Sequence, residues 1–207
     1  MTLDRLRPLA ERAIEPSVSL AKRLGLTPNA VSTLAVGLAG VAAVAFYLAP
    51  QRGARWLYLV GAGAVLLNGW FDLVDGALAR AVGTGGPAGD LIDHVLDRYA
   101  DVAIIAGLAA GVEQFALGFG AVTGVLLTSY LGTQAQAVDL DRVYGGLVGR
   151  ADRLALTVVA GLVAGVTAAT YAGLTAVGWL LAFFAVVGHV TALQRFYHAL
   201  KALRAEP

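Results

Sequence analysis

Residues 71–97, FDLVDGALARAVGTGGPAGDLIDHVLD, decide both how this chain folds and what it can do. The stretch lies between long apolar runs of the kind that cross a lipid bilayer, where a charged side chain is unfavourable. Acids are rare in such surroundings, and those that occur are functional by default. Here a series of aspartates runs through the stretch and just past it: Asp72, Asp75, Asp90, Asp93, Asp97 and Asp101.

The composition of the whole chain predicts an all-α integral membrane protein. Of its 207 residues, 58% are hydrophobic and 14% are charged, against roughly 25% charged in soluble domains. The net charge of +1 argues against nucleic acid as a partner. Cysteine is absent, which excludes a thiol nucleophile and a cysteine metal site. The N-terminal residues mix basic and acidic side chains without a central apolar block, so they do not form a cleavable signal peptide.

The apolar runs predict six transmembrane helices, since a helix that crosses a bilayer needs roughly 20 apolar residues. Residues 1–207 are expected to form a single membrane-embedded domain. Within it, residues 28–203 form the six-helix bundle. Residues 1–27 form a juxtamembrane amphipathic segment, interrupted at Pro8 and Pro16, that lies on the membrane surface or serves as a solvated helical leader. The predicted spans are 29–49, 55–81, 88–111, 114–138, 152–172 and 174–203.

The distribution of basic residues predicts the orientation. Arg52 and Arg55 follow the first span, and the other 13 of the 15 Lys and Arg residues fall on the opposite side of the membrane. Because basic residues concentrate on the cytoplasmic side, both termini and the acidic stretch are expected there.

The aspartates are spaced so that they face one another. Asp72 and Asp75 share a face of one helix, and Asp93 and Asp97 share a face of the next. The turn-rich linker VGTGGPAG predicts that these two helices are antiparallel neighbours. Clustered carboxylates at low dielectric require protons or cations between them, and oxygen ligands favour Mg²⁺ or Mn²⁺. One or two such ions holding a phosphate-bearing substrate are expected; the alternative is a set of buried ion pairs with Arg80 and Arg98.

The acidic stretch also resembles the signature of the CDP-alcohol phosphotransferase family, with every fixed position filled. The stretch LTPNAVSTL, residues 26–34, and the six spans are similar to this family as well. In sequence order the signature reads Asp72, two residues, Asp75-Gly76, two residues, Ala79-Arg80, eight residues, Gly89, three residues, Asp93, three residues and Asp97.

The resemblance implies an enzyme of phospholipid synthesis that uses two divalent ions, Mg²⁺ or Mn²⁺. Such enzymes transfer a phosphatidyl-type group from a CDP-linked lipid, held in membrane lipid, to a small polar alcohol and release CMP. By the family pattern, Asp72 and Asp93 contact both ions, Asp75 one and Asp97 the other. Asp97 also accepts the proton of the acceptor hydroxyl. Homodimers are usual in this family, and the residues themselves leave the oligomeric state open.

The same resemblance assigns the CDP-lipid contacts. Those residues are Asn29, Ser32, Gly76, Ala79, Arg80 and Gly86. Of these, Ala79 lines the cytidine pocket. Gly86 stands where relatives often have Ser or Thr, so one phosphate contact is expected to be lost, with Thr84 nearby.

The acceptor is expected to carry a phosphate. Arg150, Arg153 and Arg195 lie near the cytoplasmic ends of the last two predicted spans, and guanidinium groups suit an anionic acceptor such as inositol phosphate or glycerol phosphate. The arginines could instead be ordinary membrane-interface residues. Relatives that use phosphorylated acceptors often carry a basic residue after a Ser-Tyr pair. Here that region offers Gln134 and Gln136, which leaves serine and free inositol as alternative acceptors.

Two other functions compete with this interpretation. An intramembrane prenyltransferase also binds diphosphate through aspartates, and Asn68 and Asp72 begin its first motif, but the following spacing fails. A cation-coupled transporter would place charges near the bilayer midplane and break helices in both halves of the chain. The acids here cluster at one boundary in one half, and an assay of CMP release separates the classes.

Overall fold

The computed structural model describes residues 7–140 and 146–205, and within them the side chains of 13–140 and 146–204. In this part of the chain the regular elements are helices, which confirms the all-α prediction. In chain order they are α1 (Arg7–Arg23), α2 (Pro28–Gln51), α3 (Trp56–Val82), α4 (Pro87–Gly111), α5 (Phe115–Ala137), α6 (Arg150–Val166) and α7 (Ala176–Ala205).

Two groups of helices make up the bundle. α2 packs against both α3 and α4, while α5 packs most closely against α7. Small residues permit the close packing of α2 against α4 and α3. A Cβ at Gly107 of α4 would overlap the backbone of Ala43 in α2, and Gly61 of α3 lies under the ring of Phe46 in α2. Close approach through small residues is typical of helix packing in membranes. The abundant glycines of the sequence therefore stand at helix contacts as well as in turns.

α3 and α4 are antiparallel neighbours whose aspartates face each other across a gap, as the sequence predicts. α2 contacts both along their length, whereas α3 and α4 have little backbone contact with each other in the described residues. The two helices are joined through the short turn at 83–86, so they enclose a gap rather than a close-packed seam. The facing carboxylates need this gap, because charged side chains and their counter-ions take up the space between the helices.

Four of the six predicted spans meet the length and hydropathy of a membrane-crossing helix: α2, α3, α5 and α7. α4 falls short because its first half carries the aspartates. α6 is 17 residues long, about 26 Å at 1.5 Å per residue, and ends at Val166 rather than continuing to residue 172. A short turn with a bridge between Tyr171 and Leu174 follows it. The protein is an integral membrane protein with at least these four apolar helices.

The N-terminal segment is one continuous helix, so the predicted interruption at Pro16 is wrong. Pro16 lies inside α1, and the tertiary contacts of the helix offset the lost backbone hydrogen bond. Ile14 is buried against Val74 and Leu78 of α3. The Trp70 indole donates to the Ser17 hydroxyl at 3.2 Å. α1 therefore packs on the outer face of α3; residues 1–6 of the predicted segment lie outside the described residues.

Candidate active site

A tight turn sets the two halves of the acidic stretch against each other. α3 ends at Gly83, whose φ of 70° is left-handed and favours glycine. Gly86 precedes α4 in an extended conformation and Pro87 begins the helix, where its missing N–H leaves no hydrogen bond unmade. The turn fixes which residues of α3 and α4 face the gap between them.

Three carboxylates converge in that gap. Asp72, Asp75 and Asp93 each offer an oxygen, and these oxygens all lie within 4.8 Å of one another. Asp75 is buried, and the other two are half-buried. An all-oxygen set of this kind suits a hard divalent ion such as Mg²⁺ or Mn²⁺. The arrangement therefore fits the ions that the sequence predicts.

A serine from α2 holds one of these carboxylates. The Ser32 hydroxyl donates to Asp75 Oδ2 at 2.6 Å, and it also lies 3.1 Å from the Pro28 carbonyl. Thr27 caps the N-terminus of α2 by accepting from the Ala30 N–H. Ser32 was predicted as a contact of the CDP-lipid. In the structure Ser32 orients Asp75, because its hydrogen bond holds Oδ2 in place. The second oxygen of the carboxylate stays free for a ligand.

Arg150 connects the carboxylate cluster to Asp97. This arginine is the first residue of α6, and its two terminal nitrogens lie 2.6 Å from Asp72 Oδ2 and 2.8 Å from Asp97 Oδ1. Planar guanidinium groups favour such paired contacts. The sequence predicted Asp97 beside the ions and Arg150 beside the acceptor; the structure brings both residues together at the inner side of the cluster.

A second ion pair lies one turn deeper along the same helices. Asp101 of α4 and Arg153 of α6 are buried, and Arg153 Nη2 donates to Asp101 Oδ2 at 2.9 Å. Arg98 lies 3.4 Å from Asp101 and donates to the Ser129 hydroxyl of α5. Sequence reasoning gave Asp101 no role beyond its place in the acidic stripe. The signal that could have found the pair is its spacing, since Asp101 follows Asp97 by four residues and Arg153 follows Arg150 by three.

Arg195 lies on α7. It is buried, and its Nη1 donates to the Thr128 carbonyl of α5 at 2.7 Å. The three predicted acceptor arginines thus belong to two different surroundings: Arg150 and Arg153 face aspartates, and Arg195 faces the α5 backbone.

A cavity of about 1000 Å³ opens beside the carboxylate cluster, between the turn at 83–86 and the start of α2. Lys22, Thr84 and Gly85 line it as well, and sequence reasoning missed Lys22, which reaches the cavity from the end of α1. Asp75 and Asp93 form its inner wall. All six predicted CDP-lipid residues line this cavity: Asn29, Ser32, Gly76, Ala79, Arg80 and Gly86.

A much smaller void lies behind that wall. Its volume is about 10 Å³, and it shares Ser32, Asp75 and Asp93 with the large cavity. The other polar residues around it are Asn68, Asp72, Asp97 and Arg150.

Known proteins share this arrangement of sequence and fold. The sequence model of the family described as CDP-alcohol phosphatidyltransferase matches residues 25–201. The archaetidylinositol phosphate synthase of Pyrococcus horikoshii is 28% identical over 97% of this chain and 98% of its own. The phosphatidylinositol phosphate synthase of Mycobacteroides abscessus is 34% identical over 93% of this chain and 84% of its own.

Solved structures give the same picture. The crystal structure of Mycobacterium tuberculosis phosphatidylinositol phosphate synthase in complex with manganese and citrate superposes with a TM-score of 0.76 at 25% identity, covering 89% of this chain and 88% of that one. The same enzyme with CDP-DAG bound gives a TM-score of 0.75 at 26% identity over 91% and 94% of the two chains.

Proposed function

The chain belongs to the CDP-alcohol phosphatidyltransferase family, and we propose that its acceptor is a phosphorylated polyol, inositol phosphate first among them. As a member of that family it is a metal-dependent transferase. It moves a phosphatidyl-type group from a CDP-linked lipid to an alcohol and releases CMP. The observation that carries the assignment of the site is the convergence of six of the eight signature residues on one cavity, with the other two, Asp72 and Asp97, and Arg150 around the small void behind its inner wall.

The large cavity is the donor cavity in this proposal. Arg80 of α3 provides a guanidinium for a phosphate of the donor, and Gly76 leaves room for the donor against the helix. Ala79 lines the part that takes the cytidine. Asp72, Asp75, Asp93 and Asp97 would hold divalent ions, which when bound neutralise the diphosphate and stabilise the charge of the leaving CMP.

Asp97 is proposed as the general base. It lies one turn beyond Asp93, away from the close group of three carboxylates but tied to Asp72 through Arg150. In the reaction the acceptor O–H bond breaks and its proton passes to Asp97. The acceptor oxygen forms the new bond to the lipid-bearing phosphorus, and the bond from that phosphorus to CMP breaks. Asp97 therefore stands where donor and acceptor meet.

The acceptor phosphate is assigned to the arginines of α6 and α7. Arg150 begins α6 beside Asp97, and a phosphate bound there would leave the free hydroxyl of the acceptor near the base. Arg195 offers a second guanidinium from α7. The contacts of Arg153 favour a supporting role, because its guanidinium pairs with the buried Asp101. The names of the relatives, archaetidylinositol phosphate synthase and phosphatidylinositol phosphate synthase, favour inositol phosphate over serine or free inositol.

The wider arrangement is proposed from the sequence pattern. α4 and α6 complete a bundle of six spans, with α1 lying along the membrane surface and residues 1–207 forming one domain. Both termini and the site face the cytoplasm, because 13 of the 15 basic residues fall on that side. The acceptor would then arrive from the cytoplasm while the lipid tails stay in the bilayer. A homodimer is proposed from the family habit alone.

A panel assay tests the acceptor. Purified enzyme is incubated with CDP-lipid, Mn²⁺ and one of inositol phosphate, glycerol phosphate, serine or free inositol, and the lipid product is identified by mass. The proposal expects the product of inositol phosphate to dominate. A dominant product from serine or free inositol would overturn the acceptor but leave the reaction class intact, whereas CMP release with no acceptor-linked lipid would overturn the transferase itself.

A further inference from the structure

We propose that Asn68 is a positioning residue of the divalent-ion site, and that its side-chain oxygen accepts a hydrogen bond from the hydration shell of an ion held by the aspartates. The inference rests on the metal site of the function proposed above. The catalytic signature does not include Asn68, which precedes Asp72 by one turn of α3. In the described part of the chain it is 1% exposed.

The orientation of this side chain is fixed by one clear contact. Asn68 Nδ2 donates to the carbonyl of Ala35 in α2 at 2.8 Å. A carbonyl accepts and does not donate, so the nitrogen must be on that side and the oxygen on the other. The hydrogen bond therefore assigns the two amide atoms.

The oxygen is therefore a buried acceptor without a protein donor. Among the described residues, Asn68 Oδ1 has no hydrogen-bond partner, and neither has Arg150 Nε. A buried acceptor left unsatisfied is unfavourable by about 1–3 kcal/mol. Such atoms in folded proteins usually meet water, an ion or a ligand.

The surroundings of Asn68 identify which of these it meets. Asn68 lines the void of about 10 Å³ together with Asp72, Asp97 and Arg150, and that volume is close to what one water molecule needs. The wall is rich in carboxylate oxygens, which accept and cannot satisfy another acceptor. Arg150 directs its two terminal nitrogens at Asp72 and Asp97, and its Nε does not reach the Asn68 oxygen. A water molecule coordinated to a divalent ion is a strong donor, and Mg²⁺ in particular keeps several waters. Side chains that hold such outer partners typically change metal affinity by 10- to 100-fold when removed.

The test measures Mn²⁺ binding to the full-length protein in detergent, without donor or acceptor, by electron paramagnetic resonance of the free ion. Asn68→Leu keeps the volume of the side chain but removes its oxygen, and it should weaken Mn²⁺ binding roughly 10- to 100-fold. Asn68→Ser is a second variant for the case in which the leucine variant does not fold, and it should weaken binding in the same range because its hydroxyl is too short. Val65→Ala truncates another buried side chain of α3, one that does not line the void, and it should leave Mn²⁺ affinity within about twofold.

A further variant separates the two ends of the amide. Asn68→Asp keeps an acceptor oxygen and loses the donor to Ala35, so the inference expects Mn²⁺ affinity equal to wild type or higher. The inference is overturned if Asn68→Leu or Asn68→Ser binds Mn²⁺ like wild type. It is also overturned if Val65→Ala or Asn68→Asp weakens Mn²⁺ binding as much as Asn68→Leu and Asn68→Ser do. Disturbed helix packing would then explain the loss of affinity. A wild-type protein that binds no Mn²⁺ would refute the metal site of the proposed function and with it the role of Asn68, whereas normal binding by Asn68→Leu and Asn68→Ser would refute the role of Asn68 alone.

Discussion

The donor cavity and the acceptor arginines were assigned from the same sequence, yet the structure builds them differently. The donor residues line one continuous cavity and leave its centre open. The acceptor arginines already have protein partners: Arg150 contacts Asp72 and Asp97, Arg153 contacts Asp101, and Arg195 contacts the Thr128 carbonyl. The donor side of the site is therefore an open cavity, and the acceptor side is a network of ion pairs and hydrogen bonds.

The difference follows from what each substrate requires of its binding site. A donor that carries two phosphates and a nucleoside needs volume, which the gap between α3 and α4 provides. An acceptor that meets a carboxylate base needs positive charge close to negative charge, and such charges are stable when buried only if they are paired. Arg150 can therefore serve the acceptor by exchanging a carboxylate for a phosphate or through its Nε, which has no partner among the described residues.

The largest effect should come from removing the ions or a carboxylate that holds them. Excess chelator should abolish CMP release, and added Mn²⁺ or Mg²⁺ should restore it. Asp93→Asn should lose about three orders of magnitude in rate, since the ions stabilise the reacting charge by several kcal/mol. Asp139→Asn is the matched control, because Asp139 is exposed at the end of α5, with a left-handed backbone that Asn accepts. Full CMP release in excess chelator would contradict the claim that the reaction needs a divalent ion.

The next largest effect is expected from Asp97→Asn, which tests whether Asp97, where the donor and acceptor sides meet, is the general base. Its rate should fall by roughly two to four orders of magnitude, because the amide cannot take the proton of the acceptor hydroxyl. CDP-lipid affinity, measured by titration in the presence of Mn²⁺, should change little. An equal loss of donor affinity would make Asp97 chiefly a metal ligand and place it on the donor side alone.

A smaller effect is expected from replacing Arg153, and it tests whether this arginine binds the acceptor or supports the fold. Arg153→Gln leaves Asp101 as a buried charge without its main partner, which should lower the free energy of unfolding by about 3–5 kcal/mol. The double variant Asp101→Asn with Arg153→Gln should recover part of that loss, and acceptor KM should stay close to wild type in both. Thermal unfolding in detergent and steady-state kinetics measure the two quantities. Unchanged stability with a raised acceptor KM would show that Arg153 binds the acceptor directly.

The residues predicted for the donor side line one cavity, and those of the signature do so because they occur at fixed spacing on two helices joined by one short turn. The i, i+3 relation of Asp72 and Asp75 and the four-residue step from Asp93 to Asp97 determine helix faces without knowledge of the remaining fold. The turn at Gly83 then needs only to bring those faces together.

The remaining features depended on contacts between distant parts of the chain. Asp101 pairs with Arg153 across 52 residues; the local spacing places each residue on the same helix face as Asp97 or Arg150, but it does not show that the two faces meet. The continuous α1 was missed because a proline at position 16 lowers helix propensity, and only packing of Ile14 on α3 overrides it. The packing of α2 against both α3 and α4 was not predicted for the same reason, since small residues such as Gly107 reveal their partners only in three dimensions.

The most direct test of a site with separate donor and acceptor sides is a crossed comparison of KM values. Arg80→Gln and Arg195→Gln are assayed with both substrates varied, by CMP release in Mn²⁺. If the two sides are distinct and meet at Asp97, Arg80→Gln raises the KM of CDP-lipid about tenfold and leaves that of inositol phosphate unchanged, while Arg195→Gln does the reverse, as expected for the loss of one charge-assisted hydrogen bond. Variants that both raise the same KM, or an Arg195→Gln variant with a normal KM for inositol phosphate, would contradict the account.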